Sequence, residues 1–357
     1  MMSTVLSIRS TQKNIAIISV LGGLLVVAIL FSLSVGAVGI PVTDAAMILL
    51  AKTGLFDSAS LDETHIAVLT NIRLPRVLMT LLIGAALGVS GASLQGLFRN
   101  PLVEPSLIGV SGGSAAAVVT IIVFGSAVLP ALPVWLYSSV ISIAAFAGGS
   151  VATFLVLRLS VSAGKTNIAM LILIGVAVNA LTGALIGLAI FYADENQLST
   201  FMFWTLGDLG GATWDKLAIA APLLFMAAIG LAFFASPLNA LSLGEADAFH
   251  MGVNVEQVKR IMILISALAV GISVSLAGII GFIGLIVPHV IRTLFHSDNN
   301  LVLPASAIGG ALLLLIADVI SRTIVSPAEL PIGVVTALIG SPFFIALLLK
   351  SRRKHEI

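Results

Sequence analysis

The chain has 357 residues, 59% of them hydrophobic and 9% charged, with a net charge of +1 and no cysteine. A soluble domain has about 25% charged residues, so this composition cannot supply a water-facing surface. A thiolate metal site, a cysteine nucleophile and a disulfide framework are excluded, and so small a net charge gives no argument for nucleic acid as a partner.

A membrane-spanning helix needs about 20 mostly apolar residues. Ten such runs are predicted, at 15–36, 74–97, 104–125, 134–158, 167–192, 214–235, 260–279, 281–296, 301–322 and 332–350. The chain reads as an all-α polytopic membrane protein with a single transmembrane domain over residues 1–357, and its breaks are too short for a soluble core. The first run is expected to be a retained helix, because no small-residue cleavage site accompanies it.

After the outer break 37–72, "NIRLPR" (71–76) sets Arg73 and Arg76 three positions apart, on one helical face at the mouth of the second span. "LFRNPLVEPSLIGVSGGSA" (97–115) then places Pro101 and Pro105 beside Arg99, Asn100 and Glu104 at an inner membrane edge. Broken helices survive in membranes where their freed backbone groups face protein or a watery cavity, so 97–106 is expected to line a pathway. Glycines at small-xxx-small spacing, Gly84 with Gly88 and Gly109 with Gly113, predict close helix packing.

Two motifs lead to no chemistry. "GVSG" at 88–91 and 109–112 offers serines to an intramembrane protease, but such a serine needs a histidine base in reach, and the five histidines fall near the inner edge or outside the spans. "SAGKT" (162–166) resembles the end of a phosphate-binding loop, yet Leu159 stands where the first glycine belongs. It reads as an inner loop, and the chain has no nucleotide site of its own.

The inner break 236–259 groups Glu245, Asp247, Glu256 and Lys259, with Arg260 directly after it. Ser236 and Pro237 suit an N-cap and a first helical position. A second short helix is predicted after Gly244, with Glu245 and Asp247 near its positive end and Gly252 as its stop. The pair would offer Leu241, Leu243, Phe249 and Met251 to a cytosolic partner. Further on, Pro288 interrupts "GFIGLIVPHVIR" (281–292), and Asp318 and Arg322 stand four apart on the ninth span.

Lysine and arginine accumulate on the cytoplasmic side. With the N-terminus inside, twelve of the 17 fall inside, which puts both termini in the cytoplasm; Lys52, Arg73, Arg76, Lys216 and Arg322 remain outside. Most acids lean outward, among them Asp44, Asp57 and Glu329. The three outer arginines are either interfacial anchors or a docking patch.

From about Arg73 onward the chain resembles the FecCD family, the membrane subunits of bacterial ABC importers for iron–siderophore complexes, haem and cobalamin. The motifs that carry the resemblance are "RLPR", "GAALGVSGASLQGLFRNPLVEPSLIGVSGG", "FWTLGDL", "LSLGEADAFHMGV", "GIIGFIGLIVPHVIR" and "ELPIGVVTALIGSPFFIALLLK". The resemblance implies a type II importer permease in the inner membrane: a homodimer of ten-helix subunits, two cytoplasmic ATPase subunits beneath and a periplasmic binding protein above. ATP and magnesium would sit on the ATPase, and this chain would hold no cofactor, metal or catalytic residue. It further implies that Leu241, Leu243, Gly244, Glu245, Asp247, Phe249, His250, Met251 and Gly252 form coupling helices. Arg73, Arg76 and Arg322 would receive the binding protein. Asn100, Leu102, Val103, Asn167, Ile168 and Ala169 would form an inner gate. The cargo expected is a ferric siderophore or haem, with cobalamin as the alternative. An ion-coupled secondary transporter would instead need ion ligands near the midplane, and Asp318, the best candidate, is paired with Arg322.

Overall fold

The computed structural model describes residues 2–52, 62–127, 133, 136, 139–162 and 164–355. Asp57 and the expected beginning of the fourth span at 134 lie outside them. In chain order the helices are α1 (Met2–Ser34), α2 (Val42–Lys52), α3 (Glu63–Val68), α4 (Leu74–Phe98), α5 (Val110–Phe124), α6 (Val140–Ser160), α7 (Ile168–Phe191), α8 (Glu195–Leu206), α9 (Trp214–Ala232), α10 (Ala235–Leu243), α11 (Glu245–His250), α12 (Val255–Ala277), α13 (Ile283–Leu294), α14 (Asn299–Thr323) and α15 (Ile332–His355). Each of the ten predicted spans coincides with one helix: α1, α4, α5, α6, α7, α9, α12, α13, α14 and α15.

Among the described residues, seven helical stretches are long and apolar enough to cross a membrane alone, while α5, α13 and the apolar part of α15 are shorter. A 3₁₀ turn, Pro105–Ile108, precedes α5 and packs against the middle of α7, where Asn179 donates to the Ser106 carbonyl at 3.4 Å. The long apolar run at 260–296 divides at Gly278–Phe282, as the glycines predict. Its first helix starts at Val255 rather than 260, because Asn254 caps it by accepting from the Gln257 amide at 3.2 Å.

Helix α4 lies at the centre, packed on α9, α12, α13 and α14. Its glycines allow the contact: a Cβ at Gly84 would lie 2.5 Å from the Gly310 carbonyl oxygen, and one at Gly88 would overlap that of Ser306. The repeated "GVSG" thus marks packing surfaces, Gly88 and Gly91 against α14 and α13, and Gly112 against Asn179 and Thr182 of α7. Helix α7 contributes little to this core. Its buried residues are Leu171, Gly175, Thr182 and Ala189; Ile168, Ile172, Ile174 and Val178 pack on the core only in part, while Leu173, Val176, Leu181, Leu185, Leu188 and Phe191 point outward.

Three helices were not anticipated, α2, α3 and α8, all in outer breaks. Helix α8 starts with a capping box, in which Asp194 accepts from the Gln197 amide at 2.8 Å and the Gln197 side chain accepts from the Asp194 amide at 3.0 Å. Its end meets α12 and α15 at the break: the Asp208 amide donates to the Ala277 carbonyl at 2.9 Å, and the Ile332 amide to the Gly207 carbonyl at 3.1 Å.

Candidate coupling and gating sites

The inner break folds into α10 and α11, two short helices set between α9 and α12. The first starts earlier than predicted. Helix α9 runs into it through a turn at Phe233–Phe234, so Phe234 is the N-cap and Ser236 lies inside the helix without capping it. The second begins at Glu245 after Gly244 and stops before Gly252, whose backbone is left-handed at φ 85°. Leu243, Phe249 and Met251 are 65%, 69% and 62% exposed. Glu245, Asp247 and His250 are exposed beside them. Leu241, expected among the exposed knobs, is buried: four residues after Pro237 it turns to the face that α10 lays on α4 and α14.

The pair stands on a polar foundation missed at the sequence level. Asn239 donates to Asp298 at 2.7 Å and accepts from the Asn299 amide at 2.9 Å. Arg292 of α13 reaches the Asn299 side chain at 3.1 Å and the Ala92 carbonyl of α4 at 3.3 Å. Burial opposes the charged form of Asp298, but hydrogen bonds from the Asn300 amide and the Asn239 and Asn300 side chains outweigh it, so its carboxyl is held below the ordinary value. On the other side Lys259 of α12, 5% exposed, places Nζ 2.7 Å from Glu245 Oε1.

The break after α4 separates its predicted gate residues. Asn100 and Leu102 are exposed, and the Asn100 side chain accepts from the Leu102 amide at 3.0 Å. Val103 is 1% exposed in the main core, so it faces protein and not a water path. Glu104 is half-buried and turns toward the other chain break. Its Oε1 accepts from the Phe282 amide at 2.9 Å, at a residue in left-handed conformation between α12 and α13. The two chain breaks are therefore tied to each other beside a cavity of about 120 Å³ lined by Leu87, Ser106, Ser111 and Gly281. At the start of α7, Asn167 caps the helix by accepting from the Met170 amide at 3.2 Å. Asn167 and Ala169 are exposed, and Ile168 packs on the core.

Arg73, Arg76 and Arg322 are gathered in one cluster but point into the chain, at 5%, 8% and 8% exposure. Arg76 lies 2.9 Å from Asp318 and makes a two-pronged contact with Glu329 at 2.9 Å. Arg322 is in ion-pair contact with Asp318 at 3.3 Å and donates to the Ser32 and Val35 carbonyls at 2.6 Å. Arg73 donates to the Leu33 carbonyl at 2.5 Å and to that of Val38. This corrects both the surface-anchor and the outward-patch expectation. The last carbonyls of α1 have no partner within their own helix, and the arginines supply donors that a helix C-terminus favours. The sequence shows which side of the membrane an arginine occupies, not which way its side chain turns. A π turn at Leu69–Arg73 enters α4 and carries Arg73 to the end of α1.

Comparison with known proteins gives this arrangement a context. A profile of the FecCD transport family matches residues 24–350. The hemin transport system permease protein HmuU of Yersinia pestis is 44% identical over 286 residues, 80% of this chain and 84% of that protein. The vitamin B12 import system permease protein BtuC of Vibrio vulnificus is 37% identical over 314 residues, 88% of this chain and 92% of that one. A solved structure described as an inward-facing conformation of a metal-chelate type ABC transporter superposes with a TM-score of 0.80 at 32% identity, covering 94% of this chain and 99% of that one. A family match over residues 24–350, together with a relative 44% identical over 80% of the chain, leads to one conclusion: the chain belongs to the FecCD transport family.

Proposed function

We infer that this permease carries an iron complex, haem or a ferric siderophore, inward across a bacterial cytoplasmic membrane, driven by separate ATPase subunits. The observation that carries the reading is the helix pair α10–α11, whose exposed Leu243, Phe249 and Met251 stand on a fixed foundation at the inner face. Apolar side chains flanked by acids suit a groove on a soluble partner better than lipid headgroups. Two copies of the chain would meet along a pathway beside α7, which leaves most of its apolar side chains outside its own core. A periplasmic binding protein would deliver the cargo. The haem reading draws on the 44% identity to a hemin permease.

Cobalamin is the second reading, because vitamin B12 permeases share 37–41% identity with the chain. Ion-coupled transport finds less support, since Asp318 is held between Arg76 and Arg322. The test is cargo competition. Proteoliposomes holding the permease, its ATPase and its binding protein should take up haem with ATP, and excess cobalamin should not compete. Uptake of cobalamin in preference to haem would reverse the assignment.

A further inference from the structure

The hairpin between α6 and α7 is the part of the inner face that the coupling reading leaves unused. Its strands, β1 (Val161–Ser162) and β2 (Lys165–Thr166), are two residues each and pair Val161 with Thr166. A two-stranded hairpin is at best marginally stable alone, so its position is set by what grips it.

The grip comes from the first two turns of α12. Glu256 accepts from the Thr166 amide at 2.9 Å and from the Thr166 hydroxyl. Arg260, one turn on, lies 2.9 Å from Glu256 and donates to the Gly164 carbonyl at 2.7 Å. Between them Lys259 donates to the Thr166 carbonyl at 3.5 Å. Thr166 is thus held at its amide, hydroxyl and carbonyl, and the next residue, Asn167, is the cap of α7.

Lys259 also faces the other way. Its ammonium is buried, its carboxylate partner is Glu245 in the first turn of α11, and that carboxylate is half exposed. A buried charge deprived of its partner is costly, so Lys259 resists separation from Glu245 on one side and from the hairpin on the other. We propose that Lys259 and Glu256 form a link from α11 through Thr166 to the inner end of α7, so that displacing α11 repositions Asn167, Ile168 and Ala169. The proposal rests on α11 meeting the ATPase and adds the residues that pass its motion on.

Ala169→Cys gives a unique thiol, because the chain has no cysteine. Its labelling rate by a water-soluble maleimide is read in proteoliposomes containing the ATPase, with and without ATP. The parent is expected to show an ATP-dependent difference in rate. Lys259→Met with Glu245→Gln replaces the ion pair by uncharged groups of similar size, a change that buried pairs often tolerate. Read in complexes isolated with the ATPase bound, that variant should lose the difference. The exchange Glu245→Lys with Lys259→Glu should recover part of it, and Glu256→Gln should weaken it. An ATP-dependent difference equal to the parent's in the uncharged variant would overturn the link while leaving coupling intact. A parent that shows no ATP-driven uptake overturns the coupling reading itself, and the link with it.

Discussion

Asn239 of α10 donates to the carboxylate of Asp298, the cap of α14, at 2.7 Å, and its own side-chain oxygen receives the Asn299 amide at 2.9 Å. This crossing fixes the inner helix pair to the bundle, so a push on α11 meets a supported lever and not a loose loop. Asp298 is held below the ordinary carboxyl value, here 3.8. A group depressed by folding stabilises the fold fully above its unfolded value and loses that contribution as pH falls through the folded one. Wild-type protein should therefore unfold at a higher temperature than Asp298→Asn across about pH 5 to 8, and the two should converge below pH 3.8. A gap that stays constant into that acid range would show that charge is not what Asp298 contributes.

Asp318 is shared by two buried arginines, and its removal leaves both without their central carboxylate. Breaking a buried ion pair from one side costs about 3–5 kcal/mol. Asp318→Asn should therefore lower the unfolding temperature of the solubilised protein severely. Glu329 is 44% exposed at its side chain, and pairs of that kind are worth about 0–1 kcal/mol. Glu329→Gln should be mild by the same measurement, and equal effects from the two variants would contradict the clamp.

Gly88→Ala drives a methyl into the Ser306 carbonyl, whereas Gly183→Ala meets nothing within 4 Å. Overpacking costs about 1–3 kcal/mol, and alanine favours an exposed helix position over glycine. Thermal unfolding should separate the two variants in sign: Gly88→Ala destabilised, Gly183→Ala unchanged or slightly stabilised.

Leu243, Phe249 and Met251 are the exposed apolar side chains of the inner pair. Leu243→Ser with Phe249→Ser should leave the permease folded, since neither residue is buried, and reduce its co-purification with the ATPase. Centrally placed aromatic contacts commonly carry 2 kcal/mol or more of an interface, about a thirtyfold loss of affinity. Retention of ATPase at the wild-type level would move the docking surface away from α10–α11.

How much of this was legible in the sequence follows from how each feature is encoded. The ten spans were readable because apolar runs of spanning length leave few alternatives, and both breaks were marked by proline and glycine. Helix α11 was readable through Gly244, Glu245 and Gly252. Helix α8 was encoded too, as Asp194 with Gln197 three residues later, but a capping box stands out less than a hydrophobic run. The Asn239–Asp298 crossing and the Glu104–Phe282 contact join residues 59 and 178 positions apart, and no local pattern announces such pairs. Leu241 and the three outer arginines failed for a shared reason: residue type and membrane side were known, while the direction of the side chain depends on helix rotation. Thr166 ends the broken phosphate-loop motif, which carries no signal for its contacts, and it is held at its amide, hydroxyl and carbonyl by α12.

In the function proposed for this chain, ATP hydrolysis by a partner drives inward movement of an iron complex. The most direct measurement is haem uptake into proteoliposomes containing the permease, its ATPase and its binding protein, with identical ion composition on both sides. Uptake that requires hydrolysable ATP and stops with a non-hydrolysable analogue is the predicted result. Uptake that proceeds without ATP and follows an imposed proton or sodium gradient would contradict the account.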